Sequence, residues 1–385
     1  MEKLKIKSLG IFDEQKFKKI GEERNNWLES GSDMILNNNS SKIKEMKDSI
    51  TPSRIIVSVK KVLKENENYK TIVLTNQNDT KLPLFRAGQK IAITVNVDGV
   101  YYTKAYSISS SPARALMNEY CITIRNSNEV VDHYLYENIK INEKFAISSP
   151  FGDFYYEPLR DEKNIIAIVS DEGIIPVYSM VQAVIDGSEN YNITLFYSAK
   201  NESDLLFLDE LKTYDSNSSK VRVIIVLSEE EKDGYLTGFV SSDKIKTSFR
   251  EGETSFFIAG SEGLLKYLDK ELEEFKLPKK FIRYNSYLPT CNIKRIVKYN
   301  LGVYIGEEKF DIPCYNNKTI LTALEEGGIY IPSKCRDGSC GFCRSELVKG
   351  EVKVINDKRV NVDKKYNYIH PCSTYPMSDI EIIVR

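Results

Sequence analysis

The sequence predicts a multidomain α/β and β chain: a small antiparallel β-barrel, then a doubly wound parallel α/β domain, then a compact β-rich unit. Three observations carry that expectation. Between Arg54 and Arg125, short β-branched runs alternate with turn residues. Near residue 160 the rhythm changes to buried apolar strands alternating with helix-length periods, as in a parallel sheet with helices on its faces. Four of the seven cysteines lie at or beyond Cys335, in a stretch that reads again as short strands. At 385 residues the chain is longer than one core usually organises, so several domains are expected.

The elements follow in order. Residues 1–52 read as a helical extension, polar in pattern, with Phe12, Phe17, Ile20, Trp27 and Leu28 as scattered apolar anchors and Ser41 as a candidate N-cap. Barrel strands are expected at 55–59, 69–74, 90–95, 101–109 and 120–125, with a lone helix over 131–138 started by Asp132. The α/β part should use strands at 165–169, 193–197, 221–227 and 256–259, and helices at 174–185 and 264–274. The boundaries implied are 1–52 for the extension, 53–158 for the barrel, 159–285 for the α/β domain, 286–296 for a linker and 297–385 for the last unit.

Composition narrows the function. Lys plus Arg number 54 and Asp plus Glu 55, a balance that argues against a nucleic-acid or membrane-surface binder. No run of about 18 apolar residues is present to span a bilayer. The start, Met1-Glu2-Lys3-Leu4-Lys5, lacks the apolar stretch of a signal peptide, so a cytoplasmic protein is expected. In that setting clustered cysteines point to metal or redox chemistry before disulfides. With only His133 and His370 in the chain, a histidine-based metal or acid–base centre is disfavoured.

Cys335, Cys340 and Cys343 give C-x4-C-x2-C, and Cys372 follows downstream. That is the plant-type [2Fe–2S] spacing. Three thiolates from one loop and a fourth from a distant segment suit two irons, and Gly338 and Gly341 let backbone N–H groups approach the sulfurs. The alternative is zinc, whose ligands usually come as paired C-x2-C or Cys/His knuckles. Cys121, Cys291 and Cys314 stand alone and read as packing residues.

The surrounding residues resemble known families. Tyr330-Ile331-Pro332-Ser333-Lys334-Cys335 through Cys343, with Pro371-Cys372-Ser373-Thr374, resembles the cluster loop of plant-type ferredoxins, which implies a β-grasp domain over about 297–385 and a helix over 319–326. Lys104-Ala105-Tyr106-Ser107 resembles the R-x-Y-S flavin motif of the ferredoxin–NADP reductase superfamily, although on the residues alone a two-faced strand with alternating polar residues is the alternative. Ser149-Pro150-Phe151-Gly152-Asp153-Phe154 resembles the turn that closes that family's barrel. The resemblance implies a flavin, FAD before FMN. Lys104 would serve its phosphates, Tyr106 its ring or ribityl chain and Ser107 the reacting N5. Ile122 and Ile124 would lie on the strand under the ring, and Asp132 at the helix start would face the phosphates. Gly173 and Pro176, and later Gly260, match positions where the family binds NAD(P)H, while Glu229 to Glu231 favour NADH over NADPH.

Departures accompany the match. Lysine replaces arginine at 104, which keeps the charge and loses the bidentate grip on phosphate. Asp171 and Glu172 occupy positions where the family has glycines facing a pyrophosphate. The domain order implies a reductase that takes hydride from NAD(P)H and delivers single electrons through flavin and cluster to a partner redox metalloprotein. The competing reading is an electron-relay subunit with flavin and cluster but no working nicotinamide site.

Overall fold

The computed structural model describes Glu22 and residues 54–76, 81–286, 295–355, 357 and 359–384. The expectations for the extension (Glu22 apart), for the centre of the linker and for Cys291 lie outside the described residues. The chain divides into two compact units, 1–53 and 54–385, and everything below concerns the second.

Six strands build the barrel: β1 (Ile55–Lys64), β2 (Tyr69–Thr75), β3 (Lys90–Val97), β4 (Val100–Ser107), β5 (Glu119–Arg125) and β6 (Lys144–Ile147). They form one antiparallel sheet in the order β4-β3-β6-β1-β2-β5. The sheet curls until its two edges meet at an isolated bridge between Ile108 and Ile122. A 2.8 Å bond from Ser109 N–H to the Cys121 carbonyl reinforces that seam. β-Branched residues at alternate positions, such as Val57 and Val59 on β1 and Ile91 and Ile93 on β3, fill the interior and are essentially inaccessible to water.

The lone helix differs from the sequence expectation. It runs Val130–His133 and passes into a wider π-type turn, Tyr134–Asn138. Glu129 holds the N-cap position and makes no side-chain cap. Asp132 lies in the first turn instead of starting the helix, because its carboxylate is held by side chains of the barrel.

The α/β part has β7 (Asn164–Ser170), β8 (Asn192–Ala199), β9 (Val221–Leu227), β10 (Leu236–Thr237), β11 (Thr254–Gly260) and β12 (Ile282–Ser286), all parallel, in the order β10-β9-β8-β7-β11-β12. Two edge strands, β10 and β12, are too short or too polar to have been read as strands from sequence. The order reverses between β7 and β11, which opens a crevice beyond their carboxyl ends. The helix Ile174–Ile185 packs an almost wholly buried surface on the sheet. A second helix, Glu262–Leu272, begins earlier than its apolar pattern implies because the Ser261 hydroxyl caps it by accepting from Leu264 N–H at 3.3 Å.

The last unit comprises β13 (Lys298–Ile305), β14 (Glu308–Tyr315), β15 (Ser345–Lys349), β16 (Val352–Val354), β17 (Tyr368–Ile369), β18 (Thr374–Pro376) and β19 (Ile380–Val384). Five of them form a mixed sheet, β14-β13-β19-β15-β17, and β16 pairs with β18. The sheet grips one helix, Ile320–Glu326, capped by the Thr319 hydroxyl and buried through Ile320, Leu321 and Leu324. This is the β-grasp arrangement.

Candidate functional site

The cysteine loop follows the helix Ile320–Glu326. Cys335, Cys343 and Cys372 are buried and Cys340 is partly so. The thiol of Cys335 lies within hydrogen-bond reach of Cys340 and Cys372, and Cys372 within reach of Cys343. The backbone N–H of Cys340 meets the Cys335 sulfur at 3.3 Å, and that of Cys335 meets the Cys340 sulfur at 3.4 Å. Among the described residues no group of three or more His, Cys, Asp or Glu side chains converges on a single metal ion. A donor set of four thiols, with N–H groups already aimed at sulfur, fits a [2Fe–2S] cluster.

Neighbouring contacts fix the loop. An ion pair joins buried Glu325 to Arg336. His370 Nδ1 lies 2.6 Å from the Gly338 carbonyl. A side chain at Gly338 would collide with Ser373, its Cβ falling 2.5 Å from the hydroxyl, so the two cysteine segments approach closely there.

The same loop packs on the barrel. Cys335 is buried with Ala92 and Phe151, and Ala105 and Cys340 pack against that group. Ala92 and Ala105 are paired across β3 and β4. Lys90 on β3 reaches over to Asp337, Nζ to Oδ2 3.2 Å, and both side chains are largely shielded from water. Lys334 lies over the Phe151 ring. The cluster loop therefore rests on the strand that carries Lys104, Tyr106 and Ser107.

Around β4 the structure joins three of the residues singled out by sequence. Lys104 Nζ lies 2.7 Å from Asp132 Oδ2 and 2.5 Å from Glu129 Oε2. Tyr106 donates its hydroxyl to Asp132 Oδ1 at 2.5 Å. Burial alone would lower the Lys104 pKa, but the two carboxylates overcome that and raise it. Burial, then Asp132, pushes the Tyr106 phenol well above its ordinary value. The cation that the resemblance assigns to a flavin phosphate is thus already held by two carboxylates in this structure. Ser107 ends β4, partly exposed, opposite Lys90.

Ile122 and Ile124 are wholly inside the barrel, so they pack its core and present no side-chain surface to a ring. Just beyond β4, the Ser109 hydroxyl is buried with no hydrogen-bond partner. An orphaned hydroxyl beside Ser107 and Tyr106 fits a polar ring edge seated there. The helix Ile174–Ile185 closes on this place, with Ser179 donating to the Ser110 carbonyl at 2.6 Å and Gln182 to the Ser109 carbonyl at 2.9 Å.

At the sheet's switch point, Gly173 and Gly260 are brought together. A Cβ on Gly173 would fall 2.0 Å from the Ala259 carbonyl oxygen, so this glycine is required for packing between the two strand–helix turns. Pro176 is buried in the first turn of the helix that follows. Asp171 is exposed with φ +48°, in the left-handed region. Glu172 turns back to the barrel and pairs with Arg125 at 3.2 Å. Burial raises the Glu172 pKa, and Arg125 only partly opposes it.

Two family models match the chain, an oxidoreductase NAD-binding domain over residues 172–270 and a 2Fe-2S iron-sulfur cluster binding domain over residues 303–377. The chain is 22% identical over 356 residues to the glycine betaine monooxygenase reductase subunit of Chromohalobacter salexigens, covering 86% of this chain and 96% of that one. It is 21% identical over 299 residues to the NADH oxidoreductase HCR of Escherichia coli, covering 77% and 88%. Against the flavohemoprotein of Bacillus cereus it is 24% identical over 255 residues and spans 62% of that protein's length. Among solved structures, phthalate dioxygenase reductase superposes with a TM-score of 0.68 at 20% identity, covering 86% of this chain and 97% of that chain. The chain carries an oxidoreductase NAD-binding domain followed by a 2Fe-2S iron-sulfur cluster binding domain, and it shares the fold of phthalate dioxygenase reductase.

The sequence reading missed the contacts between domains. Lys90 and Asp337 are 247 residues apart and carry no shared motif. Arg125 was legible only as the end of a strand. Among the described residues no helix is long and apolar enough to cross a membrane.

Proposed function

We propose that the chain is an NAD(P)H-dependent reductase, with NADH favoured, that passes electrons through a flavin and its [2Fe–2S] cluster to a partner redox metalloprotein. The working division is a flavin barrel at 53–158, a nucleotide domain at 159–285 and a ferredoxin domain at 297–385. One observation carries the reading: the cluster loop packs, through Cys335 and Cys340, on Ala92 and Ala105 beside the flavin motif of β4. When bound, a flavin accepts a hydride's two electrons and releases them singly, and the cluster carries one at a time.

The chain's own residues supply position. Ser107, Tyr106 and the unpartnered Ser109 hydroxyl line the end of β4 for a flavin, FAD in preference to FMN. Cys335, Cys340, Cys343 and Cys372 hold the cluster. Lys90 ties the cysteine loop to the barrel, which would hold a cluster bound there against the strand that carries Tyr106 and Ser107. Gly173, Pro176 and Gly260 shape the crevice for nicotinamide, and Ser179 and Gln182 lock that crevice against β4.

The relay reading draws support from Asp171 and Glu172, since carboxylates at the strand–helix turn oppose a pyrophosphate. Adding NADH anaerobically to the purified protein separates the two. Bleaching of the flavin without any partner supports the reductase. No response to NADH or NADPH, with bleaching by a reduced partner protein, overturns it in favour of the relay.

A further inference from the structure

Among the described residues Lys104 is the only cation paired with Asp132 or Glu129, and it faces both carboxylates at once. Asp132 is 6% exposed, and each of its oxygens is satisfied: Oδ1 by the Tyr106 hydroxyl, Oδ2 by Lys104 at 2.7 Å and by the Ser127 hydroxyl at 2.6 Å. Glu129 stands at the start of the same short helix and completes the grip on the ammonium. The arrangement has the form of an anion site whose anion is part of the protein. A helix of one turn, with Asp132 in that turn, adds no compensating positive end.

We propose that Asp132 and Glu129 compete with a flavin's phosphate for Lys104, so that this barrel holds its flavin by the ring and ribityl chain more than by the phosphate. The inference rests on the flavin reading above and goes beyond it by assigning the specificity of the site. A phosphate that approached Lys104 would have to displace a carboxylate that is already fully hydrogen-bonded, and would then lie beside the displaced charge. A riboflavin-sized ligand meets no such opposition. Asp132 and Glu129 act through Lys104 and touch no reacting atom, so they are positioning residues.

The test is equilibrium binding of riboflavin, FMN and FAD to the full chain after flavin removal, followed by flavin fluorescence. Wild type, Asp132→Asn and Glu129→Gln are compared, with melting curves for each. Glu129 is half exposed, so its variant carries the test even where Asp132→Asn does not fold. Wild type should bind FMN no more than about tenfold tighter than riboflavin, and both variants should tighten FMN and FAD by at least about tenfold while riboflavin stays within about twofold. A wild type that prefers FMN to riboflavin by about a hundredfold or more overturns the inference. So does a variant series in which all three flavins move together, which is the mark of a merely structural network. Failure of every form to bind any of the three flavins overturns the flavin reading itself, and the inference falls with it; binding of riboflavin separates these failures.

Discussion

The two ends of the electron path are built differently. The ferredoxin unit keeps each side chain its chemistry needs, three thiols from one loop and a fourth from Cys372, with N–H groups on sulfur. The proposed flavin and nucleotide sites have a well-packed backbone scaffold, with Gly173 against Ala259 and β4 closing the barrel, but carboxylates stand at the positions proposed to face anionic ligands. Metal ligation depends on side-chain identity at a few positions, and losing one ligand loses the centre. Phosphate recognition is a sum of charges and close approaches, so a chain can retain the fold while its affinity drifts over orders of magnitude.

The largest effect that sharpens this contrast lies in the loop. Cys343→Ser should lower iron and sulfide content to background in anaerobically purified protein, whereas Cys121→Ser, in the buried barrel seam, should leave both intact. Metal analysis with EPR checks it. A zinc content with no iron in wild type would break the comparison at its firmer end.

Next comes the nucleotide turn. A carboxylate about 5 Å from a pyrophosphate charge repels it by roughly 3 kcal/mol at an effective dielectric near 20. Replacing Asp171 with Gly and Glu172 with Ser removes two such charges, frees Arg125 and relieves a left-handed aspartate. NADH should then bind at least about tenfold tighter, read from flavin reduction against NADH concentration. An unchanged affinity would mean that Glu172, turned to Arg125, is already silent.

Legibility followed the same divide. The strands of the barrel, the α/β alternation and the cysteine spacing could be read because period and spacing are local. The placement of Lys104 between Asp132 and Glu129 could not, because it depends on how a four-residue helix meets a strand 25 to 28 residues earlier. Asp132 looked like a helix start because isolated acids often are. Its true partners are tertiary. The dock between Lys90 and Asp337 was invisible for the same reason.

That dock gives a smaller effect. Lys90→Gln removes the cation facing Asp337, which keeps its bonds from Ser339, so the loss of stability should be near the lower end of the 1–3 kcal/mol range, about 1 kcal/mol. Thermal melting measures it, and slower transfer between barrel and cluster should accompany it. Unchanged melting and transfer would show that apolar packing alone docks the loop.

The smallest is a pH effect at the start of β5, away from both ends of the path. Hydrogen bonds from Lys60 and then Arg114 hold Glu119 below its ordinary value of 4.5. A carboxylate with a depressed folded pKa contributes stability above its unfolded value and loses it as pH falls through the folded one. Both cations are substantially exposed, so the contribution is less than about 1 kcal/mol. Glu119→Gln should lower stability at neutral pH by no more than that amount, with the difference from wild type shrinking as pH falls below about 4.5, so that the acid limb of the melting curve is flatter.

The central claim is that electrons cross from the flavin strand to the cluster loop within one chain. Anaerobic rapid mixing with NADH, following flavin absorption and freeze-quenched EPR of the cluster on the same samples, tests it directly. The account predicts that flavin bleaching comes first, and that the reduced-cluster signal follows at a rate independent of protein concentration. A cluster signal that rises in proportion to protein concentration, or that appears while the flavin stays oxidised, would contradict it.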